Sequence, residues 1–285
     1  MNDNSVTTAN DNSTVGIVDF AQVMSGASSF KDAGIANVTD TYQGQILTRN
    51  KELKTAILKD LAPKELANEI MAASLASALD LPVPPAFIGI TEPGNPCATR
   101  TIMQDGRGLM FVSVNVNSPS VASLVKRPTD QETLKLLRPI VELLAKESWL
   151  GNLYGFDAWI ANVDRHVGNV LFATGANIWI IDHGRCFTGP AWTKADLVAA
   201  GTYTHRLREW VTLFLSAAER KRLANEAAAL PIRLCGVDVR EAGTKNSVVN
   251  LIGASDFEAL ISFLTDRIPF VPRAAGDALD EPRIA

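Results

Sequence analysis

Asp164, Arg165, His166 and Asn169 lie within six residues of one another, and Asp182-His183-Gly184 follows the strand-forming run Asn177-Ile178-Trp179-Ile180-Ile181. A carboxylate can accept or orient a hydroxyl proton, while an amide oxygen and a second carboxylate are hard ligands for a cation on phosphates. Together these groups suit metal-assisted phosphoryl transfer. Asp164 and Asn169 are five positions apart, the spacing such loops use between the catalytic carboxylate and the metal-binding Asn. Asp182 ends the short strand and reaches Gly184 two residues later. Asp164 is therefore assigned as the catalytic carboxylate, with Asn169 and Asp182 as the Mg²⁺ ligands. Arg165 either stabilises the transferring phosphate or pairs with a structural carboxylate. His166 is placed on the nucleotide side of the loop, which it braces by hydrogen bonding. A zinc site is not supported: the one other histidine beside His166 and His183 is His205, and no HExxH-like spacing occurs.

Asp-Arg-His-x-x-Asn followed by Ile-Asp-His-Gly resembles the catalytic and metal-binding loops of phosphoinositide lipid kinases and of HipA-like kinases. Arg165 follows Asp164, whereas ordinary protein kinases place Arg before the catalytic Asp. Gly168 stands where the classical HipA toxin has Lys, so the resemblance is to the broader HipA-like group. It extends over roughly residues 16 to 190 and rests mainly on motif spacing. It implies an α+β, two-lobed protein-kinase-like fold with a small β-rich N-terminal lobe and a larger, mainly helical C-terminal lobe. It also implies ATP and Mg²⁺ in the cleft and transfer of the γ-phosphoryl group to a hydroxyl, foremost Ser or Thr of a protein substrate. A lipid or small-molecule kinase, or a non-catalytic nucleotide-binding module, is the alternative. In this resemblance His183 fills the place of the aromatic in Asp-Phe-Gly.

Other elements must bring the nucleotide to these loops. Residues 15–24 read as a first strand, followed by Ser25-Gly26-Ala27-Ser28-Ser29. This small-residue stretch is similar to the loop that approaches phosphates in HipA-like kinases, which assigns Gly26 and Ser28 to the nucleotide. Residues 39–48 and 53–61 read as two more strands. Lys59, at the end of Ala56-Ile57-Leu58, is the candidate phosphate-binding ammonium, with Lys54 as the alternative. Pro63 opens a helix over 64–79 with Leu66, Ile70, Ala73 and Ser77 along one face. Glu69 on that helix would position Lys59, as in the Lys–Glu pair of kinases. Asn68-Glu69 and the exit Leu81-Pro82-Val83-Pro84 also resemble the HipA-like pattern. A strand over 108–113 leads toward the second lobe, and Phe111 and Ser113 are assigned by position to the hinge that reads adenine.

Beyond residue 115 the chain reads as helical: 131–147, kinked or divided in two at Pro139, 149–162, two helices in 195–229 ended by Pro231, and a final helix over 247–264. Ser216 is expected to cap the second of the pair ahead of Glu219. The expected domains are a disordered leader over 1–14, a nucleotide-binding lobe over 15–114, a catalytic lobe over 115–272 and a flexible tail over 273–285. The 285 residues are 47% hydrophobic and 20% charged, as in a globular protein with a sizeable core. A net charge of −4 and a pI near 5.5 give no support for a nucleic-acid partner. Cys97, Cys186 and Cys235 are odd in number and widely spaced, which indicates neither a disulfide framework nor a zinc cluster. A cytoplasmic location fits. No apolar run is expected to reach the length of a membrane span, and no membrane partner is expected. Oligomeric state is left open.

Overall fold

The computed structural model describes residues 16–32, 40–124, 131–172 and 177–283. The expected leader, residues 1–14, lies outside them. The two longest strands, β3 (Asp40–Thr48) and β4 (Leu53–Asp60), pair antiparallel along their length. Around them lie β1 (Asp19–Val23), β2 (Ser28–Ser29), β5 (Ala86–Ile90) and β6 (Leu109–Val114), in the order β1-β5-β6-β4-β3-β2. β1 also pairs with β3, and this closes the sheet into a barrel. Its interior is filled by Ala21, Val23, Ile46, Ala56, Leu58, Met110 and Val112. Gly89 is required in the wall, because a Cβ there would meet Val112 Cγ2 at 2.5 Å and Val23 Cγ2 at 2.8 Å.

The helix α1 (Pro63–Ala78) starts with Pro at its first turn and is buried at every position from Leu66 to Ala76. It contacts β5 and β6 on one side and the helices α6 (Val239–Lys245) and α7 (Val248–Arg267) on the other. A helix covered on all sides carries apolar and small residues all round, not a single stripe. Phe111 and Ile88, on the outer face of the barrel, join the main core with α1.

After β6 the chain forms α2 (Val121–Leu124), α3 (Gln131–Leu144), α4 (Leu150–Trp159), a small sheet of β7 (Val170–Phe172) and β8 (Ile178–Ile180), then α5 (Ala217–Leu234), α6, α7 and α8 (Val271–Ala278). The segregation of barrel strands before residue 115 from most helices after it makes the fold α+β. α4 is buried at every position but Asn152 and packs against α5 and α8. Its C-terminal end is tied down by Arg267, whose Nε donates to Ala158 O at 2.7 Å, and by Trp159 Nε1, which donates to Leu264 O at 2.8 Å. Burial pushes the Arg267 pKa down to about 10.

Several expectations for this half are corrected. Pro139 lies within one continuous helix, α3. Of the two helices expected in 195–229, only α5 forms; before it the chain makes the 3₁₀ turns Arg206–Glu209 and Thr212–Phe214. Ser216 caps α5 in a full capping box with Glu219. Pro231 falls inside its last turn and supplies no N–H to the ladder there, yet the helix runs on to Leu234 and Cys235 N donates to Pro231 O at 3.0 Å. The expected flexible tail is instead the packed helix α8, with Ala275 and Leu279 fully buried. The helical stretch Val248–Ala278 is 31 residues long and contains an 18-residue window of mean hydropathy 1.4, long and apolar enough by length and composition to cross a membrane, contrary to expectation. In this fold it bends at Gly253 (φ 79°) and buries Phe257, Leu260, Phe263 and Leu264 in the core.

Candidate active site

Lys59 ends β4 on the barrel's outer face, next to Phe111 on β6. Its ammonium donates to Glu69 Oε1 on α1 at 2.6 Å and lies 3.1 Å from Asp182 Oδ1. Burial pushes the Lys59 pKa down, but the Asp182 and Glu69 carboxylates more than reverse this and leave it raised. For Glu69 burial pushes the pKa up, and Lys59 with the His183 N–H more than reverses it, so the carboxyl titrates below its usual range. The second oxygen of Glu69 accepts the His183 backbone N–H at 2.8 Å. One carboxylate thus joins the barrel lysine to the loop that carries Asp182. Lys54, the alternative lysine, pairs with Glu52 at 2.9 Å away from this cluster.

The loop between α4 and β7 is built around Asp157, a buried carboxylate on the otherwise apolar α4. Arg165 forks onto it, Nε to Oδ2 at 3.0 Å and Nη2 to Oδ1 at 3.1 Å, and donates from Nη1 to Ile181 O at 2.6 Å. The guanidinium is fully buried. Its assignment as a catalytic residue is therefore corrected: it takes the structural half of the choice offered for it. Asn162 Nδ2 also donates to Asp157, at 3.0 Å, and Asn162 Oδ1 accepts the Asp164 N–H at 3.1 Å. Asn169 Nδ2 donates to the Asp164 carbonyl at 2.6 Å. Asp164 is held at both ends of its peptide unit while its carboxylate stays partly open, 23% exposed. His166 accepts the Gly168 N–H on Nδ1 at 2.9 Å and sits 3.9 Å from Asp164 Oδ2, so it contacts the loop itself.

β7 and β8 bring the two candidate metal ligands together. The pair Val170↔Ile180 continues into the Ile181 N–H donating to Asn169 O at 3.0 Å, which sets Asn169 beside the start of the Asp182 loop. Asp182 is left-handed (φ 62°), a conformation Asp tolerates better than most residues, and its side chain is 42% exposed. No described residue donates a hydrogen bond to Asn169 Oδ1. Two oxygen donors fit magnesium, which takes few protein ligands and fills its sphere with phosphates and water. Among the described residues no group of three or more His, Cys, Asp or Glu could hold a metal alone.

The segment after Asp182 is pinned to α1 by Asn68, which is fully buried. Asn68 Nδ2 lies within hydrogen-bond distance of three carbonyls, Gly184 at 2.9 Å, Gly189 at 3.1 Å and Cys186 at 3.2 Å, and Oδ1 accepts from Trp192 Nε1 at 3.0 Å. Phe187 (φ 54°) and Thr188 (φ 78°) are held left-handed, with the Phe187 N–H on Ile160 O at 2.7 Å. His183 is buried edge-on against Phe156, ring centroids 6.2 Å apart.

Gly26 and Ser28 are not brought to this cluster, and Phe111, which stands beside Lys59, is not placed as a hinge residue. β1 and β2 both run along β3, with Val23↔Ile46 and Ser28↔Gln43, so the Gly26 stretch is a bulge in one strand and not a hairpin tip. Ser28 pairs through Gln43 toward Ile57, two strands and about 10 Å from the Lys59 strand. The β2–β3 connection leaves the sheet nearer Lys59, and its residues 33–39 lie outside the described ones. Phe111 and Ser113 are corrected as hinge residues, because β6 is paired on both sides, with β4 and β5. Unpaired backbone begins only past Asn115, whose N–H donates to Thr55 O at 2.9 Å.

A family model described as HipA-like kinase matches residues 53–231. That span is more than half of the chain, and the chain belongs to the HipA-like kinase family. The match runs from the first residue of β4 into α5 and takes in Lys59, Glu69, Asp164, Asn169 and Asp182. No curated protein matches the chain.

Proposed function

We propose that the barrel with α1 and the helical part form the two lobes of a protein-kinase-like fold, and that the chain is an ATP- and Mg²⁺-dependent kinase acting on Ser or Thr hydroxyls of a protein. The observation that carries this reading is the Lys59 ammonium, bonded to Glu69 at 2.6 Å and to Asp182 at 3.1 Å. It joins a strand lysine, a helix carboxylate and a metal-loop carboxylate in the arrangement phosphoryl transfer requires.

Magnesium–ATP, when bound, would supply the phosphoryl group and neutralise the charge that develops on it. Asn169 and Asp182 offer the oxygens for the metal, and Lys59 offers the cation for the nucleotide phosphates. Asp164 would hold the acceptor hydroxyl in line and take its proton as the new O–P bond forms and the bond from the γ-phosphorus to the β–γ bridging oxygen breaks, with ADP as the leaving group. Arg165, Asn162 and Asp157 keep that carboxylate in place. The test is incubation of the purified protein with γ-labelled ATP, Mg²⁺ and cell lysate, followed by separation of proteins, lipids and small molecules. Label in protein Ser or Thr supports the reading; label confined to lipid or small molecules contradicts the acceptor class.

A further inference from the structure

Two arginines that the reaction above does not use converge on the Asp164 carboxylate. Arg206 Nη1 lies 3.5 Å from Oδ1 and Arg185 Nε lies 3.7 Å from Oδ2. Both distances exceed a good charge-assisted hydrogen bond, so each guanidinium stands beside the carboxylate without closing on it. Arg185 is about half exposed and makes no hydrogen bond to any described residue. Arg206 bonds Glu209 through Nε at 2.6 Å, and it is Nη1 that faces Asp164.

Neither arginine is on loose backbone. Arg185 lies between Gly184 and Cys186, whose carbonyls both face Asn68 Nδ2. Arg206 follows His205, which is stacked on Tyr154 at 5.2 Å with its Nε2 3.0 Å from Tyr154 O. On the other side of the turn, Trp210 Nε1 donates to the carbonyl of Arg165 at 3.1 Å, within the catalytic loop itself. Two forked cations thus extend from anchored backbone on either side of the residue proposed to receive the acceptor hydroxyl. A neutral hydroxyl has no use for them, whereas a planar carboxylate or a phosphate next to that hydroxyl would match the guanidinium fork.

We propose that Arg185 and Arg206 form an anion-recognition subsite for the acceptor, so that the hydroxyl phosphorylated sits in a peptide segment with an acidic side chain beside it. This rests on the protein-kinase reading above. The acidic group would engage the guanidinium groups and free the Asp164 carboxylate for the hydroxyl.

The test uses an array of Ser peptides that differ in one flanking residue, Asp, Glu, phosphoserine, Ala or Lys, with γ-labelled ATP and Mg²⁺. Wild type, Arg185→Gln and Arg206→Gln are compared, and ATP affinity is measured on the same samples. Acidic peptides should exceed the Ala peptide in kcat/KM by about tenfold or more, chiefly through KM, as one charge-assisted contact implies. Each variant should bring the acidic-to-Ala ratio toward one. A phosphoserine peptide preferred over Asp would mark phosphate as the anion; the reverse would mark carboxylate. Equal labelling of all peptides, preference for Lys, an unchanged ratio in both variants, or labelling of no peptide by a protein that binds ATP would overturn the subsite and leave nucleotide binding standing. Absence of ATP binding would overturn the kinase reading and this inference with it.

Discussion

Glu69 and His183, 114 residues apart in the chain, are joined by a 2.8 Å hydrogen bond from the His183 backbone N–H to the Glu69 carboxylate. The other oxygen of Glu69 holds Lys59. A single helix residue therefore sets both the lysine of the barrel and the loop that presents Asp182, and its loss is felt on both.

Lys59 and Glu69 are nearly wholly buried, so removal of one leaves the other as an under-paired charge. Lys59→Ala should cost about 3–5 kcal/mol of stability, as breaking a buried pair does. The double variant Lys59→Met/Glu69→Gln, which removes both charges and keeps an oxygen for the His183 N–H, should recover much of that stability in urea unfolding while failing to bind ATP. A double variant as unstable as Lys59→Ala would show that the pair is not the source of the loss.

Stability should fall with acid in two stages. Burial, with the Arg165 charge added, depresses the His183 pKa below its ordinary 6.5, and burial depresses His205 likewise. A depressed histidine contributes stability that is full above the unfolded value and lost as pH falls below 6.5, because the unfolded chain binds the proton more readily. Glu69 adds a second loss, beginning below its ordinary 4.5 as pH falls toward its depressed folded value. His183→Phe keeps the backbone N–H to Glu69 and the edge contact with Phe156. It should be near neutral at pH 7 and should flatten the slope between pH 6.5 and 4.5 in denaturant titrations.

Asn68→Ala leaves three carbonyls and the Trp192 N–H without their partner, and should cost about 1–3 kcal/mol. The local signature is Cys186, a fully buried thiol whose pKa is raised by burial. Cys186 should be inert to a thiol reagent in wild type, while exposed Cys235 reacts, and should become reactive in Asn68→Ala. Unchanged Cys186 protection would mean the segment is held without Asn68.

Asp157→Ala removes the partner of a fully buried guanidinium and should destabilise by about 3–5 kcal/mol in urea unfolding. Arg165→Lys, which keeps the charge without the fork, should lose a substantial part of the same energy.

The residues that chemistry requires were legible because their spacing is local: Asp164 to Asn169 in one loop, and Lys59 to Glu69 across one strand–helix turn. α1 was legible from periodicity and from its Pro-marked start. Asp157 had a signal that was passed over, a lone carboxylate in an apolar helix, which demands a buried partner. Arg185 and Arg206 had none, since they meet only through the packing of separate segments. Closure of the barrel depends on β1 pairing both with β3 and, in parallel, with β5, long-range contacts that strand patterns do not encode. The hinge was misplaced for a related reason, because nothing local shows that β6 is paired on both edges.

The central claim is tested most directly by label transfer from γ-labelled ATP with Mg²⁺, wild type beside Asp164→Asn, in a single-turnover experiment with ATP binding measured on both. The account predicts transfer by wild type, ATP bound by both proteins, and a fall of about 10²–10⁴ in the transfer rate for Asp164→Asn. Transfer at an equal rate by both proteins would contradict it.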